Sequence, residues 1–401
     1  MDVYVARQPI FKTNKRVYAY ELLFRDSLTN IFPDIDGDSA TSKVLFDSFL
    51  TIGIEKITGR KKAFINFTED MLIEKAPLMF SKDKIVVEIL EDVKPGLEVL
   101  NACRDITRDG YMVAMDDFDY RPELEPLISI SNLIKIDFRS TPYKAIQENV
   151  KRLSRYDVHL LAEKIETYEE FSKALEMGFT YFQGYFFCKP EVIKGKDISA
   201  SDLNILNIMV EANKEEIDFQ ILERLIGRDV AISYKLLRYI NSAYFKRVRK
   251  ISSIKQAISL LGERRIRRFL SIIAMADLSH EKPNELFRRS VIRARLCEMI
   301  GETVHSSVPA SELFVVGLFS LIDAILDDSM ENIMKRLPLS REIKDVLLYN
   351  SGELKKYLTL AISYESGNWE RMPEAAAAVE INEEKLPTCY LDSIKWADSL
   401  I

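Results

Sequence analysis

The residues in this chain that could do chemistry are mostly carboxylates, joined by one amide and one lysine. Glu21, Asn66, Glu88, Asp116, Asp117 and Glu163 all offer hard oxygen atoms. Such donors suit magnesium or manganese rather than zinc, which prefers nitrogen and sulfur. Two hard cations about 3.5–4 Å apart can activate water and stabilise an in-line displacement at phosphorus. Lys135 would offset developing negative charge or position the attacking water. Arg25 would grip a phosphate. Taken singly, each has an ordinary alternative. Asn66 could cap a turn, Asp116–Asp117 could open a helix, Lys135 and Asp137 could form a structural ion pair, and Glu163 with Glu166 could be a solvated helix start. The joint reading rests on where they recur.

They recur at the ends of short apolar runs. KKAFINFT, KIVVEILE, YMVAMDDF, NLIKIDF, VHLLAEKIE and TYFQGYFF are β-branched or aromatic, bounded by polar turns, and read as buried strands. They end in Asn66, Glu88, Asp116–Asp117, Lys135 with Asp137, Glu163 and Gln183. Helical patterns such as GLEVLNACRDITRDG, YKAIQENVKRLSRY and YEEFSKALEMGF lie between them, so the sheet is expected to be parallel. In a β/α barrel the C-terminal strand ends form one rim that carries the chemistry. An open sheet would place them at a crevice. The repetition favours the barrel. Acids gathered on such a rim repel one another unless cations neutralise them.

After KPEVIKGKDIS the strand signal stops. From SDLNILNIMVEANKE to ELKKYLTLAISYE the apolar residues follow a 3.6 period, with Asp202, Asp218, Ser252 or Ser253 and Ser340 as helix caps. The chain therefore reads as an α/β barrel domain followed by an all-α domain, with the boundary near Lys194–Ser201 and no low-complexity linker. A length of 401 residues fits two domains. The net charge of -6 argues against a general nucleic-acid coat protein. No apolar run reaches the ~18 residues of a membrane span, and the opening MDVYVARQPIFKTNKR lacks the order of a secretory signal. Cys103, Cys188, Cys297 and Cys389 are far apart and form no paired motif, which fits a reducing cytoplasm. The run Arg264, Arg265, Arg267 and Arg268, with Arg288, Arg289, Arg293 and Arg295, is expected to be a solvated face paired with neighbouring acids rather than a nucleic-acid site.

The segment YELLFR resembles the Glu-x-Leu-x-Arg signature of EAL domains, the cyclic-di-GMP phosphodiesterase family. FINFT, VEILE, MDDF, IKIDF, LAEKIE and QGYFFCKP follow in that family's order, covering most of residues 1–195. The resemblance implies a TIM-like barrel over 1–197 that hydrolyses cyclic-di-GMP to pGpG. Glu21, Asn66, Glu88, Asp116, Asp117 and Glu163 would hold two divalent ions, magnesium or manganese. Lys135, Glu163 and Gln183 would act in catalysis, with Lys135 contacting the hydrolytic water. Leu23, Arg25, Asp137 and Gln183 would contact the dinucleotide, and Glu91 would anchor the loop after Asp117. Three departures stand out. Leu22 replaces the signature alanine, Asp119–Tyr120–Arg121 replace a glycine-bearing loop that couples dimerisation to metal binding, and Lys164 replaces a glycine.

The stretch DVAISYKLLRYINSAYFKRVRKISSIKQAISLLGERRIRRFLSI resembles the HDOD domain, a helical relative of HD phosphohydrolases that lacks their metal ligands, here expected over 198–401. Where HD enzymes carry His-Asp, this chain reads Gly317-Leu318-Phe319-Ser320-Leu321. His280 and His305 are then expected to be structural or surface residues. The order EAL then HDOD is similar to a two-domain bacterial signalling architecture. Its implied partners are cyclic-di-GMP, a second copy of the chain and an unidentified protein bound by the HDOD half. A catalytically silent receptor or scaffold is the alternative function, and regulation of the barrel by the helical half is a further one.

Overall fold

The short apolar runs form strands because their alternate residues can be buried on one face while the backbone is satisfied by neighbours. The computed structural model describes residues 4–25, 53–191, 205, 208–212, 217–228, 230–241, 251–279, 282–337 and 339–400. The expected boundary at Lys194–Ser201, the Asp202 cap and His280 lie outside these residues. Eight strands close into a barrel in chain order. They are β1 (Tyr4–Lys12), β2 (Val17–Arg25), β3 (Lys62–Phe67), β4 (Ile85–Ile89), β5 (Met112–Met115), β6 (Leu133–Asp137), β7 (His159–Glu163) and β8 (Tyr181–Gln183). The strand readings from Lys62 onward are all met, whereas β1 and β2 lay outside them. β1 runs antiparallel to both β2 and β8, and every other neighbour is parallel, so the barrel departs from the uniformly parallel TIM pattern. A hairpin, not a helix, makes the first connection, with Arg16 N–H donating to the Asn14 side chain at 3.1 Å.

The helices of this half are α1 (Ile54–Thr58), α2 (Glu69–Ile73), α3 (Leu97–Arg108), α4 (Glu125–Ile128), α5 (Tyr143–Leu153) and α6 (Tyr168–Glu176). In α3, Val99, Leu100, Cys103 and Ile106 form the helical stripe that faces the core. A reciprocal capping box between Thr167 and Glu170 starts α6. Phe171 of α6 stacks on Phe186 at 4.9 Å, and Phe11 of β1 meets Phe187 at 4.7 Å. This apolar contact helps fix the N-terminal strand against the last one.

Inside the barrel, Ile10, Ala19, Phe64, Val86, Ala114, Leu133 and Leu161 form one fully buried layer, with Tyr181 packed against it. Residues two apart in a strand share a face. Two steps along each parallel strand from this layer lie Glu21, Asn66, Glu88, Asp116, Lys135, Glu163 and Gln183. Two steps back along the antiparallel β1 lies Gln8. The polar residues therefore form a second layer directly above the apolar one.

The described residues divide into two compact units. The barrel unit contains Met1–Lys189 together with Ile362–Ala377 and Asn382–Lys395, and the second contains Pro190–Ala361, Ala378–Ile381 and Trp396–Ile401. The division is thus discontinuous, unlike the linear split into 1–197 and 198–401. Aromatic packing accounts for the return. Tyr364 is fully buried and meets Trp369 at 5.4 Å and Tyr390 at 5.0 Å, while Trp369 reaches Tyr4 at 6.3 Å.

The remaining helices are α7 (Phe219–Arg228), α8 (Val230–Ile240), α9 (Ile254–Leu278), α10 (Asn284–Thr303), α11 (Ala310–Phe319), α12 (Ile322–Leu326), α13 (Met330–Arg336), α14 (Arg341–Tyr349), α15 (Leu354–Glu365), α16 (Met372–Ala378) and α17 (Leu386–Asp398). Asp218, Ser253 and Ser340 accept backbone N–H groups at helix starts, as their types imply. No helix among the described residues is long and apolar enough to cross a membrane. α10 and α11 approach closely at Gly317, where a Cβ would meet Ala294 Cα at 2.6 Å and Arg293 O at 2.7 Å. Gly317→Ala is therefore expected to destabilise this unit by about 1–3 kcal/mol through overpacking, read as a lowered midpoint in thermal unfolding followed by circular dichroism.

Candidate functional site

The second layer of the barrel gathers charges that elsewhere would be solvated. Lys135 is fully buried, and its Nζ lies 2.7 Å from Asp116 Oδ1, 2.8 Å from Glu163 Oε1 and 3.6 Å from Glu21 Oε1. It also pairs with Glu88, which has no exposed surface. Four carboxylates thus share one ammonium. Oxygen atoms of Glu21, Glu88 and Asp116 lie within 4.8 Å of one another, and so do those of Asp116, Asp117 and Glu163. Asp116 belongs to both groups, which is the arrangement two neighbouring cations would need.

The oxygens around these groups are incompletely satisfied. Asn66 Oδ1 and Gln183 Oε1 are buried without a hydrogen-bond partner among the described residues. Such atoms carry a desolvation cost unless a donor or a cation meets them. The donor set is entirely oxygen, which fits a hard divalent ion. Gln183 is 4% exposed, and its Nε2 donates to Gln8 Oε1 at 3.1 Å and to Glu21. Gln8 was missing from the sequence reading. The alternation Ala6, Gln8, Ile10 in ARQPIF carried its signal, but the strand itself was not recognised.

The protonation equilibria follow from this crowding. Burial pushes Glu88 well above the usual carboxylate range, despite the opposing attraction of Lys135. Burial likewise raises Glu163 to about 8, against the pull of the Lys135 charge and with a further push from Asp116 and Glu21. Burial works against the Lys135 ammonium, but Glu163, Glu21, Glu88 and Asp116 together hold its pKa well above the ordinary lysine value. Burial and the Asp116 charge raise Asp117.

The other expected positions fall at different depths. Asp117 is exposed and sits in the left-handed region at φ 36°. Asp137 is committed elsewhere: it accepts from Lys164 Nζ at 2.5 Å and from the backbone N–H groups of Arg139 and Ser140 at 2.7 and 3.2 Å. Burial alone would raise its pKa, but Lys164 and those N–H groups lower it. Lys164 Nζ also lies 3.8 Å from Asp117. The lysine that stands where the family has glycine, itself at φ 55°, thus delivers a cation to the acidic layer. Glu91 is exposed and, among the described residues, has no hydrogen bond or ion pair, so it does not tether the loop after Asp117 here. That loop is held by Tyr120, which donates to Glu125 at 2.8 Å and lies under Arg152 at 4.4 Å. Leu23 lies one step above Glu21 on the same face of β2; the side chain of Arg25 lies outside the described residues. Gly184 follows Gln183 at φ 143°, where a Cβ would meet Ile165 O at 2.0 Å, so only glycine lets β8 close against β7.

The helical unit offers no comparable group: among the described residues no other cluster of acids, histidines or cysteines could hold a metal. At the expected His-Asp position, Ser320 accepts from Arg293 Nη1 at 2.8 Å. His305 is exposed, as expected. The basic run is paired with acids, as in Arg264 with Glu298 and Glu302 at 3.0 and 2.9 Å. It is not uniformly solvated, however. Arg289 and Arg293 are buried, and Arg268 stacks between Phe314 and Trp396 at 4.5 and 4.2 Å. The helical period of α10 turns Arg289 and Arg293 inward, a direction that charge composition alone does not reveal.

Comparison with known proteins assigns both halves. Residues 48–190 match the EAL domain family and residues 203–337 the HDOD domain family. The chain is 37% identical over 409 residues to the uncharacterised protein YuxH of Bacillus subtilis, covering 100% of this chain and 99% of that one. It is 35% identical over 400 residues to the cyclic di-GMP phosphodiesterase CdgJ of Vibrio cholerae, covering 99% of this chain and 93% of that one. Among solved structures, the Bacillus subtilis YkuI protein, with an EAL domain, is 19% identical with a TM-score of 0.40, covering 65% of this chain and 72% of that one.

The raised Glu163 gives a pH dependence of definite sign. Between its ordinary 4.5 and about 8, the folded state holds a proton that the unfolded chain has released. Stability of the metal-free protein is therefore expected to fall as pH rises through that window, by at most about 1.36 kcal/mol per pH unit from this group. Thermal melts in chelator across that range should show the decline, and Glu163→Gln should make it shallower, with the raised Glu88 still contributing.

Proposed function

We propose a function from the premise that this chain belongs to the EAL–HDOD family that YuxH and CdgJ share. The barrel is a divalent-metal-dependent phosphodiesterase that hydrolyses cyclic di-GMP to linear pGpG. The observation that carries this reading is the buried layer in which Glu21, Glu88, Asp116 and Glu163 converge on Lys135 beside the unpartnered oxygens of Asn66 and Gln183. CdgJ, related over nearly its full length, is named for this activity.

In this reading Glu21, Asn66, Glu88, Asp116, Asp117 and Glu163 hold two divalent ions, magnesium or manganese. When bound, those ions supply Lewis acidity and neutralise charge at phosphorus. The chain's own groups do the positioning. Lys135 keeps an ammonium in the acidic layer and steadies the water that attacks phosphorus. Glu163, with its raised affinity for a proton, can hold one on a carboxylate paired with that ammonium. Gln183 fixes Glu21 by donating to it and leaves its own carbonyl oxygen for water or an ion. Leu23 and Arg25 contact the dinucleotide above the layer. Asp137 contributes by holding Lys164 beside Asp117.

Lys164 is also the observation that favours a second reading, a receptor that binds the nucleotide without turnover. Its ammonium beside Asp117 competes with a cation at the Asp116–Asp117–Glu163 group. The helical half, whether output or regulator, then acts through protein contacts, with a second copy of the chain as the simplest partner. Deleting it tests that role, by changed barrel kinetics or changed mass in light scattering.

Incubating the full chain with cyclic di-GMP and manganese is expected to yield pGpG, with Glu21→Ala and Glu163→Ala each lowering turnover by about 10²–10³-fold or more. Binding in calorimetry without pGpG would establish the receptor instead. Under that outcome Lys164→Gly should restore turnover by freeing Asp117.

A further inference from the structure

The polar layer does not end at the barrel's own strands. Gln8 Nε2 donates to the backbone carbonyl of Ser366 at 3.1 Å, and Gln8 Oε1 accepts from Gln183 Nε2 at 3.1 Å. Gln183 in turn donates to Glu21. Ser366 lies in Ile362–Ala377, which clusters with the barrel in one compact unit. Neighbouring contacts hold it there. Gly367, at φ 67°, packs so close that a Cβ would meet Leu23 Cδ1 at 2.6 Å and Ala6 Cβ at 3.7 Å. Ala6 and Leu23 are register partners in the β1–β2 ladder, two residues beyond the pair Gln8 and Glu21 on the same face. The segment after α15 therefore lies against the mouth side of the layer.

The order of donors and acceptors in this chain is constrained. A backbone carbonyl and a carboxylate can only accept. With Ser366 O at one end and Glu21 at the other, Gln8 must turn its N–H₂ outward and its oxygen toward Gln183. Gln183 must then spend both N–H bonds on Gln8 and Glu21. Its carbonyl oxygen is left over, and that oxygen is buried and, among the described residues, without a hydrogen-bond partner. Without the Ser366 carbonyl, Gln8 is held in this orientation by the Gln183 N–H alone, and the acceptor it offers Gln183 is less firmly placed.

We propose that Gln8 is a positioning residue through which the C-terminal segment at Ser366 orients Gln183 and Glu21 for divalent-ion binding. The inference rests on the metal-dependent reading of the barrel. It makes the site a joint product of the first strand and the segment Ile362–Ala377, and it gives that segment a direct means of regulating the barrel.

The test uses manganese alone, titrated into the full-length protein and followed by the free-ion signal in electron paramagnetic resonance. Gln8→Met keeps the shape and removes both hydrogen-bonding groups. It is expected to weaken manganese binding about 10–100-fold, the usual effect of losing a group that orients a ligand. Gly367→Val, which displaces the segment through Leu23 without touching Gln8, should weaken it similarly. The double variant should be no worse than either single one, because both break the same chain. Wild-type affinity in Gln8→Met, or additive losses, would overturn the proposal. Should Gln8→Met fail to fold, wild-type affinity in Gly367→Val overturns it alone. No manganese binding by the wild-type chain would instead remove the phosphodiesterase reading, and this inference with it.

Discussion

One buried ammonium facing four carboxylates is the constraint on which the barrel half depends. Around Lys135, the acids Glu21, Glu88, Asp116 and Glu163 cannot all be ionised in a medium of low dielectric without a large cost. Either protons or cations must make up the difference. The raised affinities of Glu88 and Glu163 for protons are the metal-free solution. Divalent ions are the other, and they would also meet the oxygens of Asn66 and Gln183 that protons on carboxylates leave unpartnered. A protein selected only for stability would fill this layer with apolar side chains, as it does one step below. Retaining the acids makes sense when their negative charge has work to do.

The barrel is what makes that crowding sustainable. Each charge comes from a strand whose partners are fixed on both sides, so none can swing away to water. Asp116 shows the same control just past a strand end, where its N–H donates to Ile89 O at 2.9 Å and Phe118 N–H donates to Lys135 O at 2.9 Å. The positions free to vary lie on the loops above. Lys164 and Asp119–Tyr120–Arg121 depart from the family there, and the structure gives each departure new partners: Asp137 for Lys164, Glu125 and Arg152 for Tyr120. Tuning is thus confined to the rim, while the charged layer is held by backbone pairing.

Much of this was legible in sequence because a period of two converts strand positions into faces. Asn66, Glu88, Asp116, Lys135, Glu163 and Gln183 each follow an apolar residue by two, and that regularity is enough to place them in one layer once the strands close. What escaped has a common cause. β1 and Gln8 pair antiparallel to a partner that strand–helix alternation does not anticipate. The helices α16 and α17, and the return of Ile362–Ala377 to the barrel, depend on aromatic contacts between residues hundreds of positions apart, such as Tyr4 with Trp369. Glu91 was placed by resemblance alone, and a loop rebuilt around Tyr120 gave it nothing to hold. Local pattern reports which residues share a face; it does not report which distant face will cover them.

The same electrostatic logic separates the two halves chemically. In the helical unit the position that would carry His-Asp in an HD enzyme presents Ser320 bonded to Arg293, with Asp323 nearby made harder to ionise chiefly by burial. A guanidinium does not release its proton in a protein, so Arg293 itself stays charged at every accessible pH. Around Lys135 the balance is opposite, since four acids outnumber one base. An excess of carboxylates over bases favours a cation around Lys135, and no comparable group of acids surrounds Arg293 among the described residues. With Ser320 and Leu321 in place of His-Asp and Arg293 bonded to Ser320, the clusters among the described residues that could hold a metal ion lie in the barrel.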